Sequence, residues 1–183
     1  MKSLPAVKRR LVKVIRVFRS PLDRRRGWIV AGPLVLPCAL GRAGAARTKH
    51  EGDGRTPIGR HRVRAVFYRA DRIRRPGTAL TLSRIAPADG WCDDPRDRRY
   101  NRPVQLPYPA SHERLWRDDH LYDVVLDLSW NREPAIPGRG SAIFLHCARP
   151  GLLPTEGCIA VERRLIRRLL ERIGPNTIID VIA

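Results

Sequence analysis

Phe144–Val161 reads FLHCARPGLLPTEGCIAV, and its two ends are built alike. Ala142, Ile143, Phe144 and Leu145 run into a histidine, His146, and Ile159, Ala160 and Val161 run out of a cysteine, Cys158. Gly and Pro punctuate the eleven residues between them, so the stretch reads as strand, loop, strand. Two buried strands that hold the ends of one loop bring those ends together, which places His146 and Cys158 within reach of each other. An imidazole beside a thiol lowers the thiol's pKa and accepts its proton, the requirement for an activated sulfur nucleophile. Gly157, immediately before the cysteine, permits close backbone approach, and the Gly157–Cys158 peptide region is the candidate oxyanion donor.

The stretch resembles the signature of the L,D-transpeptidase catalytic domain, the YkuD family, in which a histidine precedes a Ser/Thr-x-Gly-Cys element. Here that element is Thr155-Glu156-Gly157-Cys158. The resemblance implies a β-rich sandwich or barrel, peptidoglycan cross-linking in cell-wall biogenesis, Cys158 as the nucleophile and His146 as its base. Two positions depart from the common form: Glu156 replaces a second histidine, and Ala160 replaces a polar or basic residue. The departures keep the thiol chemistry and leave two fates open for the acyl-enzyme, transpeptidation and hydrolysis.

Working outward, Leu11–Phe18 (LVKVIRVF) is β-branched and extended, Trp28–Val30 is its hairpin partner after the Arg24–Gly27 turn, and Leu34–Leu40 is a third extended segment. Glu51–Gly59 (EGDGRTPIG) is dense in turn residues and resembles the G-x-x-T-P-x-G element of the same family. It lacks the Gly-Lys-Ser/Thr ending of a phosphate loop. His61–Phe67 and Leu80–Ile85 read as strands, and Ser111 reads as the N-cap of a short helix running to Trp116. Leu121–Leu128 is a further strand. Leu165, Ile166, Leu169, Leu170 and Ile173 recur at helical spacing, predicting a helix over 162–173 that Gly174-Pro175 ends. Thr177–Ile182 closes the chain as a strand. The fold class is therefore mainly β, with one late helix and long loops.

Asp89–Pro95 (DGWCDDP) and Tyr100–Pro103 (YNRP) combine aromatic, carboxylate and amide groups in irregular chain, a composition suited to a polar ligand. Both stretches are similar to segments of a YkuD-like subgroup. Trp91, Asp93, Asp94, Tyr100, Asn101, His112 and Glu156 are the substrate-contact candidates, and His112 is also a rival base. Asp93 and Asp94 suit the ammonium of a diamino acid or, equally, pairing with Arg96, Arg98 or Arg99. Asp123 and Asp127 are candidates to orient an imidazole.

At 183 residues the chain has the length of one domain, taken as 11–183 after a basic segment, 1–10. The formal charge is +18, from 36 Lys+Arg against 18 Asp+Glu, which suits an anionic neighbour; arginine-rich codon usage accounts for it equally well. Aromatics make up only 6% and show no stacking pattern, which argues against the rival reading, a basic nucleic-acid-binding module. Cys38, Cys92, Cys147 and Cys158 permit up to two disulfides, and none has zinc-ribbon spacing. Arg16 interrupts the apolar run near the N-terminus, so no secretory signal is recognisable, and no transmembrane stretch is present. The resemblance nevertheless implies a periplasmic or cell-envelope enzyme, with the cytoplasm as the alternative. Its implied partners are peptidoglycan stem peptides and an amine acceptor, a protein amine included; no cofactor is required.

Overall fold

A computed structural model describes residues 11–182; the basic segment 1–10 lies outside the described residues. The strands are β1 (Val14–Arg19), β2 (Arg26–Ala31), β3 (Leu34–Ala39), β4 (Ala45–Ala46), β5 (Thr56–Pro57), β6 (Gly59–Tyr68), β7 (Leu82–Arg84), β8 (Asp89–Cys92), β9 (Pro103–Gln105), β10 (His112–Arg114), β11 (Val124–Leu128), β12 (Phe144–Cys147), β13 (Ile159–Val161) and β14 (Ile178–Ile182). The helix, α1, spans Arg163–Leu170.

Nine strands form one sheet in the order β11-β12-β13-β3-β2-β1-β14-β6-β7. An additional pairing of β11 with β6 closes that sheet into a barrel and leaves β7 beside β6. Closure removes the exposed edges that a nine-stranded open sheet would present. The β1–β2–β3 hairpins are antiparallel, as their turn chemistry requires, whereas β1 and β14 meet in parallel, which ties the two ends of the described chain together.

Alternation along each strand decides what fills the barrel. Ile15, Val17, Ile29, Leu36, Val66, Leu126, Leu145 and Val161 point inward, and Ile166, Leu169 and Leu170 of α1 join the same apolar core. The arginines of α1 occupy its other side, with Arg163 reaching Asp123 at 2.6 Å and Arg164 reaching Glu162 at 2.6 Å.

A second, smaller apolar cluster lies on the outer face of β11 and β12: Ile85, Trp91, Leu115, Tyr122, Val125, Ala142 and Phe144. It is roofed by a three-stranded sheet, β10-β8-β9. This corrects the expected helix from Ser111: His112–Arg114 is a strand, paired antiparallel with β8 through His112↔Cys92 and Arg114↔Gly90. Three residues carry too little periodicity to distinguish helix from strand, and ladder pairing overrides the local capping signal. All four cysteines are free, so neither permitted disulfide forms.

Candidate active site

β12 and β13 run parallel, with Leu145 opposite Ile159 and His146 opposite Ala160. Because successive side chains alternate faces, Leu145 and Cys147 enter the barrel core while Phe144 and His146 face the outer cluster. Cys158 stands just before β13, partly packed against that same cluster. His146 and Cys158 therefore line one cavity of about 450 Å³, shared with Glu51, Asp93, Glu113, Arg117, Tyr122 and Arg149.

The turn before the cysteine is fixed by its backbone. Gly157 has φ +135°, and a Cβ there would stand 2.8 Å from the carbonyl oxygen of Arg55, so only glycine fits. Thr155 Oγ1 donates to the Cys158 carbonyl at 2.6 Å and accepts the Gly157 N–H at 3.2 Å. That last bond turns the Gly157 N–H away from the role of oxyanion donor expected for it. Thr56, from the Glu51–Gly59 turn, accepts the Gly41 N–H at 2.9 Å and donates to the same Cys158 carbonyl at 3.4 Å. Two threonines, from two separate turns, thus converge on one peptide.

The thiol donates to the Ala142 carbonyl at 3.2 Å, and the Phe144 N–H points at its sulfur at 3.4 Å. Burial pushes the Cys158 thiol up to about 12, and the nearby Glu113 carboxylate acts in the same direction. Burial also pushes His146 down to about 4. The resting pair is therefore a neutral thiol and a neutral imidazole. His146 Nδ1 lies 2.8 Å from the Cys147 carbonyl oxygen, an atom that only accepts. Nδ1 accordingly carries the proton, and Nε2 keeps the lone pair of a base. The ring is walled by Tyr122, edge-on at 5.2 Å between centroids.

The other predicted residues divide clearly. Asp93 and Glu156 line the cavity. Glu156 is mostly exposed and pairs with Arg42 at 2.7 Å. Trp91 is not at the cavity but buried: it stacks edge-on against Phe144 at 5.0 Å, lies under Arg132, and donates its N–H to Asn101 Oδ1 at 3.0 Å. Asn101 is buried too, and its Oδ1 also accepts the Ala142 N–H at 3.1 Å. That bond helps hold Ala142 at φ +50°, a conformation most non-glycine residues avoid, and so aims the Ala142 carbonyl at Cys158. Tyr100 is buried and donates its hydroxyl to Glu51. Trp91, Tyr100 and Asn101 thus brace the site instead of facing a ligand.

Asp94 is held by Arg96 at 3.3 Å, the local pairing that its sequence allowed. His112 does not line the cavity; its Nδ1 faces the Ala110 carbonyl at 2.8 Å and its ring packs on Tyr108. Asp123 serves His120, Arg72 and Arg163, and Asp127 pairs with Arg132 at 3.5 Å, so neither orients His146. Burial pushes the Asp127 carboxyl up to about 6. Sequence reasoning missed Glu51, Glu113, Arg117, Tyr122 and Arg149 as cavity residues. For Glu113 the sequence held no usable signal, because the strand that carries it, His112–Arg114, is only three residues long.

No helix among the described residues is long and apolar enough to cross a membrane. Two solved structures are similar over 92% of this chain. They are Bd1075 of Bdellovibrio bacteriovorus, at 14% identity and TM-score 0.43, and L,D-transpeptidase 1 of Mycobacterium tuberculosis, at 10% identity and TM-score 0.40. The match covers 47% of the first and 59% of the second, so this chain corresponds to only part of each. A search of curated proteins finds no match. The model of the L,D-transpeptidase catalytic domain matches residues 22–181, a span that holds every barrel strand but β1, the roof and both His146 and Cys158, and the chain belongs to the YkuD family.

Proposed function

We propose that this protein is a cysteine acyltransferase that cross-links peptidoglycan stem peptides through a thioester on Cys158. The observation that carries the reading is that one cavity is lined by both a protonated thiol and an imidazole whose Nδ1 is committed to the Cys147 carbonyl, which leaves Nε2 as the proton acceptor.

Acylation begins when Cys158 Sγ forms a bond to the carbonyl carbon that joins an L-centre to the terminal D-residue, while His146 Nε2 takes the thiol proton. The ion pair of thiolate and imidazolium need not exist beforehand, because the transfer is made as sulfur attacks. Negative charge passes to the carbonyl oxygen. With the Gly157 N–H engaged by Thr155, the Cys158 N–H is the donor left in that turn for this oxyanion, and the two threonine hydrogen bonds to the Cys158 carbonyl hold the turn rigid. The C–N bond breaks, the imidazolium returns its proton to the departing amine, and the thioester remains. In the second half an acceptor amine forms its bond to the thioester carbon, Nε2 takes a proton from it, and the thiolate leaves and is reprotonated.

Its substrate assigns the enzyme's work to the cell envelope, and residues 11–183 act as one catalytic domain. The test is product analysis of wild type and Cys158→Ala incubated with purified tetrapeptide muropeptides. Dimeric product from wild type alone supports transpeptidation. Trimmed monomer alone replaces it with the peptidase reading, and no product from folded wild type contradicts both.

A further inference from the structure

Where a barrel interior is apolar, the alternate positions of each strand face outward and are ordinarily polar. On β1, β2 and β3 they are not. Ile15, Val17, Ile29 and Leu36 fill the core, so Phe18 and Trp28 turn outward, and the register sets Phe18 beside Trp28 and Trp28 beside Pro37. One step along, Arg16 stands beside Val30, and Val30 beside Val35. Phe18 is 37% exposed, Trp28 49% and Val35 57%, and Leu22, in the turn between β1 and β2, is 95% exposed. Apolar side chains gathered on one exposed face mark an interaction surface. Arg16 on this face, Arg19 at the end of β1 and Arg24 in the turn are exposed as well, and among the described residues none of the three has an ion-pair partner. Asp23, beside Leu22, is held by Arg25 at 3.0 Å. None of these residues lines the cavity of His146 and Cys158.

We propose that the outer face of β1–β3, with Leu22 at its tip, docks on the surface of an anionic phospholipid bilayer. Exposed aromatic and aliphatic side chains enter at the headgroup level, and the arginines beside them meet the lipid phosphates. Charge complementarity selects this occupant. A second copy would set the same arginines against each other. The chain's own segment 1–10 would bring Lys2, Lys8, Arg9 and Arg10 to a rim that is already positive. A nucleic acid would stack on Trp28 and pair with the arginines, yet it gives Leu22 and Val35 no apolar phase to enter. The proposal is independent of the acyl-transfer reading, because it uses neither Cys158 nor His146.

The test is co-sedimentation of the full chain with vesicles of phosphatidylglycerol and phosphatidylcholine, part of the lipid carrying bromine on its acyl chains. Trp28 is half-exposed whereas Trp91 is buried, so insertion is read as quenching by brominated lipid that Trp28→Phe removes. Wild type is compared with Leu22→Ser/Trp28→Ser and with Arg16→Ser/Arg19→Ser. The control is Ile136→Ser, an exposed apolar position in the connection between β11 and β12. All of these positions are at the surface, and a thermal unfolding curve of each variant checks its fold.

Wild type is expected to bind the anionic vesicles at least about tenfold more tightly than pure phosphatidylcholine, and each double variant to lose about tenfold, with the control within about twofold of wild type. Quenching of Trp28 in wild type reads the contact without any double variant. Undiminished binding of Leu22→Ser/Trp28→Ser without quenching of Trp28 in wild type would be attraction of charge alone and would overturn the docking face. Absence of wild-type binding to the anionic vesicles would overturn it too, as would a concentration-dependent dimer that Leu22→Ser/Trp28→Ser abolishes, which would make a second copy the occupant.

Discussion

Strand β12 presents two faces, and the cysteines nearest to each make the comparison on which the site turns. Cys147, beside His146 in sequence, enters the barrel core among Leu145, Ile159 and Val161 and is fully buried. Cys158 reaches the outer face, where the cavity and the imidazole are. Burial pushes both thiols up to about 12, so acidity does not separate them. What separates them is access to a substrate and a proton acceptor in the same cavity. A buried thiol is ordinary core filling; a thiol that shares a cavity with a lone pair of fixed orientation is a candidate nucleophile.

The comparison breaks most directly by deleting each thiol in turn. Cys158→Ala is expected to lower transpeptidation at least about 10³-fold with little change in stability, whereas Cys147→Ala keeps activity within a few-fold and costs about 1–2 kcal/mol by denaturant titration. Equal losses of activity would erase the distinction between the two faces.

The next effect concerns the base. His146 is held at about 4 in the folded protein against an ordinary value near 6.5. The unfolded chain therefore takes up a proton first as pH falls, and stability drops between about pH 6.5 and 4, by about 3 kcal/mol in all, then levels off for this group. Thermal unfolding across that range should show a slope that His146→Gln reduces. Acylation should persist at pH 5.5, where an unperturbed histidine is mostly protonated; loss of acylation near pH 6.5 would contradict the neutral-imidazole assignment.

Gly157→Ala sharpens the geometry of the cysteine turn. A Cβ at φ +135° meets the Arg55 carbonyl, so the variant should be less stable by about 1–3 kcal/mol and lose most of its acylation rate, both read on one purified sample. Glu156→Ala is expected to do least: its exposed ion pair with Arg42 is worth under about 1 kcal/mol, and a larger stability loss would mean that the pair anchors the loop.

Much of the inner face was legible in the sequence because it obeys local rules. The strand–loop–strand frame follows from apolar runs flanking a Gly/Pro loop, and α1 from its heptad-like leucines and isoleucines, although it is shorter than the 162–173 predicted. The outer face was less legible because long-range pairing builds it. Trp91 and Asn101 have the chemistry of ligand contacts and also that of buried brackets, and only the fold reveals that they hold each other and Ala142. Glu113 was hidden by the helix read from Ser111, since a strand of three residues has no period to detect. The histidine's orienting partner was sought among aspartates, whereas the carbonyl of its own neighbour supplies it.

The most direct test of the central claim is to trap the acyl-enzyme from a tetrapeptide donor by rapid acid quench and to map the adduct by peptide mass. The account predicts a thioester on the peptide that contains Cys158, retained in Cys147→Ala and slowed at least about 10²-fold in His146→Ala. An adduct on Cys147, or acylation of Cys158 at an unchanged rate without the His146 imidazole, would contradict it.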